Sequence, residues 1–407
     1  MSRPRFLKIS SVYSEFVRSF VATLPADDRL TAAEIAERFA RTAYVAILFP
    51  AHHMETHGYE SHEIYMSLKP LQLAWARENG VHFNESNWHK SITIAQVRQL
   101  KPDVIFLQDL YVCDADFRRE LRAACPPHTR LIGWRGAPTE EYTQFRDLDL
   151  TLSCNPHYIE RMRLAGATAE LLPLSFEPRM LELIDTMTDL RPHQLTFAGS
   201  IGSPFGIWAS RERVIQRLLE DGPLELWANF VDPVSRFENL SYQLNRLLDL
   251  VRVPTSLRTH LPIVRIGAHG MSRPGQHPIQ TRFPERIHPP VFGLSYYQLL
   301  AQSQITLNNH GENHEDYAAN VRLYEATGMG ACLLTDWKSN LHELFTPDQE
   351  VVTYRHPDEA AEKVRYLLDH DRERAAIALA GQQRTLRDHT SANRAARLAE
   401  LIGAWHR

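Results

Sequence analysis

Cysteine is scarce in this chain of 407 residues: only Cys113, Cys125, Cys154 and Cys332 occur. No two form a CxxC pair, and so thin a distribution excludes a disulfide scaffold. Scattered single thiols fit a reducing compartment. Excess charge of one sign is also missing. Lys plus Arg number 45 and Asp plus Glu 49, for a net charge of −4. Without a global basic field, binding of a nucleic-acid polymer by the whole surface is disfavoured, although a local basic patch is not excluded. No apolar run approaches the roughly 20 residues that span a bilayer. The opening MSRPRFLKIS has neither an apolar signal core nor a small-residue cleavage site. These absences together lead us to expect a cytoplasmic protein with no transmembrane segment. What is present is an ordinary globular mixture, 43% hydrophobic and 23% charged, which excludes a disordered or collagenous chain. The length favours two domains.

The pattern along the chain is strand–helix alternation. Residues 1–41 read as amphipathic helix, with Thr31 and Glu34 at capping-box spacing ahead of Ile35 and Phe39. Tyr44–Phe49 (YVAILF) reads as the first buried strand. A polar loop over Pro50–His62 and a helix over Glu63–Asn79, kinked at Pro70, follow. Further strands are expected at Asp103–Leu107, Arg130–Trp134, Leu148–Ser153 and Ala169–Leu174. Helices are expected at Ser91–Leu100, Asp114–Ala124 and Pro156–Ala165, the last capped by Asn155. A second unit opens with the strand Gln194–Ala198 and the helix Trp208–Glu220. It becomes irregular over 229–292, apart from a helical piece near Phe237–Leu250, and then resumes alternation through Ile305–Asn308, Asn320–Thr327, Ala331–Thr335 and Val351–Tyr354. Three helices close the chain. Such alternation predicts parallel sheets covered on both faces, with ligands at the carboxyl ends of the strands.

Five stretches carry chemistry. In 289–345, a polar loop with Glu312, Glu315 and Asp316 leads into a helix opening at Asn320 with Arg322 and Glu325. Free N–H groups at a helix start attract an anion, and Arg322 adds a planar cation suited to phosphate. Glu325 offers the two acceptor oxygens that a ribose diol needs. The set fits a nucleoside diphosphate; the plainer alternative is an i,i+3 surface pair. In Gly199-Ser200-Ile201-Gly202, glycines after a strand let backbone approach a phosphate or sugar, or simply turn the chain, with Arg211 just inside the next helix. In the loop PAHHMETHGYESH, His52, His53 and His57 are candidates for proton transfer or sugar hydrogen bonds, or are solvated loop residues; no metal-ligand spacing falls on a helix there. Asp109 follows the strand DVIFL and is either a base facing a cleft or the cap of the next helix; Arg135-Gly136 follow the strand LIGW. Finally Arg258, Arg265, Arg273, Arg282 and Arg286 face one acid, Glu285, over 258–288, as anion ligands or as a solvated insertion.

The runs GLSYYQLLAQSQITLN, RLYEATGMGACLLTD, ELF…EVVTYRHPDEAAEKVRYLL and AGQQRTLRDHTSANR resemble the C-terminal domain of CgeB-like, group 1 glycosyltransferases of the GT-B superfamily. The stretch FAGSIGSPFGIWASRER is similar to the opening of the same domain. The resemblance implies an α/β GT-B fold: a helical extension at 1–41, Rossmann-like doubly wound domains at 42–180 and 193–388 facing a cleft, and a helix over 389–407 returning to the first domain. It also implies transfer of a sugar from a nucleoside-diphosphate sugar to a glycan or other acceptor, with no cofactor and no metal. His53, His57, Asp109 and Arg322 are then the residues for chemistry. Gly199, Ser200, Arg211, Glu315, Asn320, Arg322 and Glu325 are those for the donor. In the family two glutamates separated by seven residues contact the donor. Glu325 takes the second position, while the first falls on Tyr317, leaving Glu315 or Asp316 as substitutes. The broken pair keeps open a non-catalytic nucleotide-sugar-binding or assembly protein on the same scaffold, and an epimerase or phosphorylase as a third reading.

Overall fold

The computed structural model describes residues 3–25, 30–44, 49–184, 191–202, 209–230, 277–311 and 316–404, with residues 244 and 248. Two six-stranded sheets organise it, and every strand pair recorded in them is parallel. The first holds β1 (Arg5–Ser10), β2 (Glu60–Tyr65), β3 (Val104–Leu107), β4 (Arg130–Trp134), β5 (Leu150–Ser153) and β6 (Ala169–Leu171) in the order β2-β1-β3-β4-β5-β6. The second holds β7 (His193–Ile201), β8 (Leu224–Phe230), β9 (Ile287–His288), β10 (Ser303–Asn308), β11 (Cys332–Asp336) and β12 (Val352–Tyr354) in the order β12-β11-β10-β7-β8-β9. Both orders reverse direction once, between β1 and β3 and between β7 and β10. In doubly wound sheets that reversal opens a crevice at the strand carboxyl ends.

Local signals set several elements where the sequence places them. Thr31 and Glu34 form a reciprocal capping box at the helix Ala32–Arg41, whose Ile35 and Phe39 are buried. The Asn155 side chain accepts from the His157 amide at the start of Pro156–Leu164. VIFL in β3 and LIGW in β4 are buried on both faces, as strands covered by helices on each side must be.

The beginning of the chain departs from expectation. Residues 1–41 are helical only in part: Ser14–Thr23 and Ala32–Arg41 are helices, but Arg5–Ser10 is β1, which lies between β2 and β3 inside the first sheet. Within the expected strand Tyr44–Phe49, residues 45–48 lie outside the described residues, and Tyr44 and Phe49 belong to no strand. The physical reason lies in Lys8. It is fully buried in β1, with Nζ 2.6 Å from the Phe49 carbonyl and 3.1 Å from Oε1 of Glu63 on β2. A buried ammonium is tolerable only with such partners, and they come from distant sequence. The Pro50–His62 loop is likewise a 3-10 helix over Ala51–His57 followed by β2. Pro70 sits in the first turn of the helix Lys69–Glu78 and starts it rather than kinking it. The helical piece near Phe237–Leu250 falls outside the described residues apart from 244 and 248.

The domains share one apolar cluster. It runs from Phe106, Trp134 and Leu152 through Phe176 to Tyr297 and Tyr324, and includes Ala395, Leu398 and Ile402. The chain crosses back at Phe176, whose amide donates to the His389 carbonyl at 2.9 Å while its carbonyl accepts from the Ser391 amide at 2.8 Å. The helix Ser391–Gly403 then packs on the first domain. At a second junction the Leu294 amide donates to the Thr42 carbonyl at 3.2 Å. Gly293 has φ +56°, and a β-carbon there would come within 2.5 Å of that carbonyl, so the approach requires glycine.

Candidate active site

A cleft of about 420 Å³ opens between the domains at the reversal of the second sheet. Six residues singled out in the sequence line it: Gly199, Ser200, Arg211, Asn320, Arg322 and Glu325. They come from four separate stretches: the end of β7, the start of the helix Ala209–Asp221, the turn after β10's loop, and the helix Arg322–Gly328.

Arg322 is the centre of this wall. Its guanidinium donates to the Ala198 carbonyl at the end of β7 and, at 3.1 Å, to Oδ1 of Asn308 at the end of β10. It therefore bridges the two strands that flank the reversal. Its ring-facing side lies 4.8 Å from the centre of Phe197. The buried Nε has no hydrogen-bond partner among the described residues, and neither does buried Oδ1 of Asn320, whose Nδ2 donates to Asn308 at 2.8 Å. Arg211 is buried and donates to the carbonyls of Ser200 at 3.0 Å and Asn309 at 2.7 Å. Two guanidinium groups are thereby held by backbone oxygens at the end of β7.

Glu325 lies one turn beyond. Its oxygens accept from the hydroxyls of Tyr296 at 2.8 Å and Tyr297 at 3.1 Å. Burial pushes its carboxyl above the ordinary carboxylate range, against the opposing pull of the Tyr296 bond and of Arg322. The same burial, with the charge of Glu325, raises both tyrosine hydroxyls. Each carboxylate oxygen keeps acceptor capacity after one such bond. Trp227 and Phe292 also line the cleft; Trp227, paired with Ala198 across the sheet, stacks on His288 at 4.3 Å. The first domain contributes Tyr13 and Tyr44. Burial lifts the Tyr44 hydroxyl, and the negative charges of Asp109 and Glu325 add to the shift, so acids from both domains reach one hydroxyl.

The remaining candidates lie elsewhere. His53 is not in the cleft wall: its Nε2 is 2.8 Å from Oε2 of buried Glu177, beside the crossing of the domains. His52 stacks on it at 4.5 Å, and His57 is exposed at the end of the 3-10 helix. Asp109 is half-buried at the end of β3, on the reversal of the first sheet. It accepts from the Ser11 hydroxyl and, at 2.9 Å, from the Tyr111 amide. The next helix is capped by Asp114 instead, whose side chain accepts from the Phe117 amide. Glu315 lies outside the described residues, as do Glu312, Arg258, Arg265 and Arg273. Asp316 is exposed, and its carbonyl accepts from the Ser339 amide at 2.9 Å and hydroxyl at 2.8 Å. Arg282 pairs with Glu220 at 2.8 Å and Arg286 holds the Gly222 carbonyl at 2.7 Å. Among the described residues no group of three or more His, Cys, Asp or Glu is arranged to hold a metal ion, and no helix is long and apolar enough to cross a membrane.

Sequence reasoning missed the aromatic half of the cleft: Tyr13, Tyr44, Trp227, Phe292, Tyr296 and Tyr297. The adjacent tyrosines in GLSYYQ were a usable signal, since a tyrosine pair at a helix start is conspicuous. Tyr13 and Tyr44 had none, because only the docking of the first domain brings them there.

Residues 254–400 match a family described as "Glycosyl transferase-like". No curated protein matches the sequence. Solved structures of low identity superpose over nearly the whole chain. Sucrose-phosphate synthase from Thermosynechococcus elongatus does so at 10% identity with a TM-score of 0.54, covering 99% of each chain. HepE from Anabaena, in complex with UDP-glucose, does so at 12% and 0.52, covering 98% of this chain and 99% of its own. AviGT4, a glycosyltransferase of avilamycin A biosynthesis, does so at 13% and 0.50, covering 98% and 96%. The chain therefore has the two-domain GT-B fold of these glycosyltransferases, and its second domain matches the glycosyl transferase-like family.

Proposed function

We propose that this protein transfers a glycosyl group from a nucleoside-diphosphate sugar to an acceptor held against the first domain. The observation that carries the reading is Arg322, fixed across the ends of β7 and β10 with Glu325 one turn away. The diphosphate lies against Gly199 and Ser200, where Arg322 and Arg211 meet its charge. The ribose hydroxyls bond to Glu325, and the base stacks toward Trp227 and Phe292. Uridine nucleotides are the first to test, because HepE of the same fold holds UDP and UDP-glucose.

In the transfer the acceptor oxygen bonds to the anomeric carbon, and the bond from that carbon to the diphosphate oxygen breaks. Negative charge grows on the departing diphosphate, and two arginines already oriented by backbone carbonyls stabilise it without reorganising. This reading needs no metal. Asp109, held by Ser11 and the Tyr111 amide, receives the acceptor proton. Closing the cleft excludes the water that would otherwise compete as acceptor.

One observation favours a second reading, a nucleotide-sugar-binding protein without turnover. Tyr317 stands where the resemblance expects the first glutamate of the donor pair, and Glu325 is already engaged by two tyrosines. A thermal-shift screen with UDP, GDP, ADP, CMP and dTDP identifies the nucleotide, since a ligand of the folded state raises its apparent stability. Release of nucleoside diphosphate from the matching sugar donor then supports transfer. Binding without release from any donor supports the second reading, and no binding by any nucleotide overturns both.

A further inference from the structure

The first sheet reverses its strand order at β1 and β3, and one unusual pair of side chains stands at the carboxyl ends of β3 and β4. Tyr111, in the turn after β3, is 66% exposed. An exposed tyrosine alone means little. Here, however, the guanidinium carbon of Arg135 lies 3.5 Å from the ring centre. Arg135 is only 7% exposed, and it donates to the carbonyls of Ala137 and Pro138, each at 2.9 Å. The loop that holds it is pressed onto the core: a β-carbon at Gly136 would come within 2.3 Å of the Trp134 indole. One face of the Tyr111 ring is thus fixed to a buried, hydrogen-bonded base, and the other is open. Two residues earlier lies Asp109, whose carboxylate accepts from the Tyr111 amide at 2.9 Å and from Ser11.

We infer that Tyr111 on its Arg135 base is a stacking plate for a pyranose ring, and that the acceptor is accordingly a carbohydrate. This rests on the glycosyl-transfer reading above. A pyranose presents a flat patch of C–H groups ringed by hydroxyls, so it needs an apolar plate beside a strong acceptor. The ring and the Asp109 carboxylate supply that pair. A plate already immobilised by Arg135 loses little freedom when a sugar settles on it. A phenol would also stack on the ring and offer the carboxylate one hydroxyl, but it lacks the rim of further hydroxyls around a C–H face, so it is the rival occupant that the test separates.

Saturation-transfer NMR on the full chain tests this, with methyl β-D-glucopyranoside, methyl α-D-mannopyranoside and methyl β-D-galactopyranoside as probes and p-nitrophenol as the flat control. At least one glycoside is expected to show transfer to protons on one ring face. The signal should persist in Tyr111→Phe and fall roughly five-fold in Tyr111→Ala, as loss of a ring contact predicts. The thermal shift produced by UDP should stay the same in both variants. No glycoside signal in the parent, an equal signal in Tyr111→Ala, or Tyr111-dependent binding of p-nitrophenol alone overturns the inference. A Tyr111-dependent glycoside signal from a chain that binds no nucleotide supports the plate and ends the glycosyl-transfer reading instead.

Discussion

Gly199 and Arg322 touch. A β-carbon on Gly199 would sit 2.5 Å from Nη2 of Arg322, so the glycine is what allows the guanidinium to reach the Ala198 carbonyl next to it. The end of β7 and the helix Arg322–Gly328 are fitted to each other at the point where the second sheet reverses.

Gly199→Ala should therefore act through Arg322. The added methyl displaces the guanidinium from its anchor, and a charge-assisted contact to the nucleotide is lost. Affinity for the diphosphate found in the thermal-shift screen should drop about ten-fold or more. Calorimetric titration checks it, and an unchanged Kd would show that the contact has no bearing on binding.

Glu325→Gln separates binding from stability. Burial raises the folded-state pKa of Glu325 above its unfolded value. The group thus favours the folded state fully below its unfolded pKa, and that contribution is lost as pH rises through the folded one. Glutamine keeps the shape but does not titrate. The melting temperature of the parent relative to Glu325→Gln should fall between pH 4 and pH 8, while nucleotide affinity in the variant drops about ten-fold. Parallel melting curves at both pH values would place Glu325 in an ordinary solvated setting.

His53→Ala should cost stability and spare the nucleotide site. Burial pushes Glu177 up, but the hydrogen bond and charge of His53, with further bonds, hold it below the ordinary range. That stabilisation is present above the unfolded carboxylate pKa and is lost as pH falls through the folded one. Removing the imidazole leaves the buried carboxylate short of a partner, at about 1–3 kcal/mol. Denaturant unfolding at neutral pH measures this. Lost turnover with unchanged stability would instead return His53 to the chemistry.

Leu398→Ala examines the crossing helix. Leu398 is fully buried in the cluster shared by the domains, and its truncation should cost about 2–5 kcal/mol. A loss below about 0.5 kcal/mol would mean that the helix Ser391–Gly403 only lies on the surface.

Much of the fold was readable wherever the cause is local. VIFL and LIGW are continuous apolar runs, and they are strands buried on both faces. Thr31 with Glu34, and Asn155 before Pro156, satisfy helix-start amides within a few residues, so their spacing carries the message. Gly199, Ser200, Arg211, Asn320, Arg322 and Glu325 were each singled out from their position after a strand or at a helix start, and they do share a cleft. β1 was not readable: RFLKIS has a lysine at its centre, and what makes Lys8 tolerable is Glu63, a residue 55 positions away.

The sequence alone thus determined the alternation of strands and helices, the parallel character of both sheets and the polar residues of the cleft wall, because each depends on neighbours within a turn or a strand. Only the tertiary structure decided that Arg5–Ser10 lies within the first sheet, that His53 belongs to Glu177 at the domain crossing, and that Tyr13 and Tyr44 face Glu325 across the cleft. The reason is physical: burial of a charge, its pairing and the docking of two domains are settled by partners distant in sequence, and no local pattern encodes them.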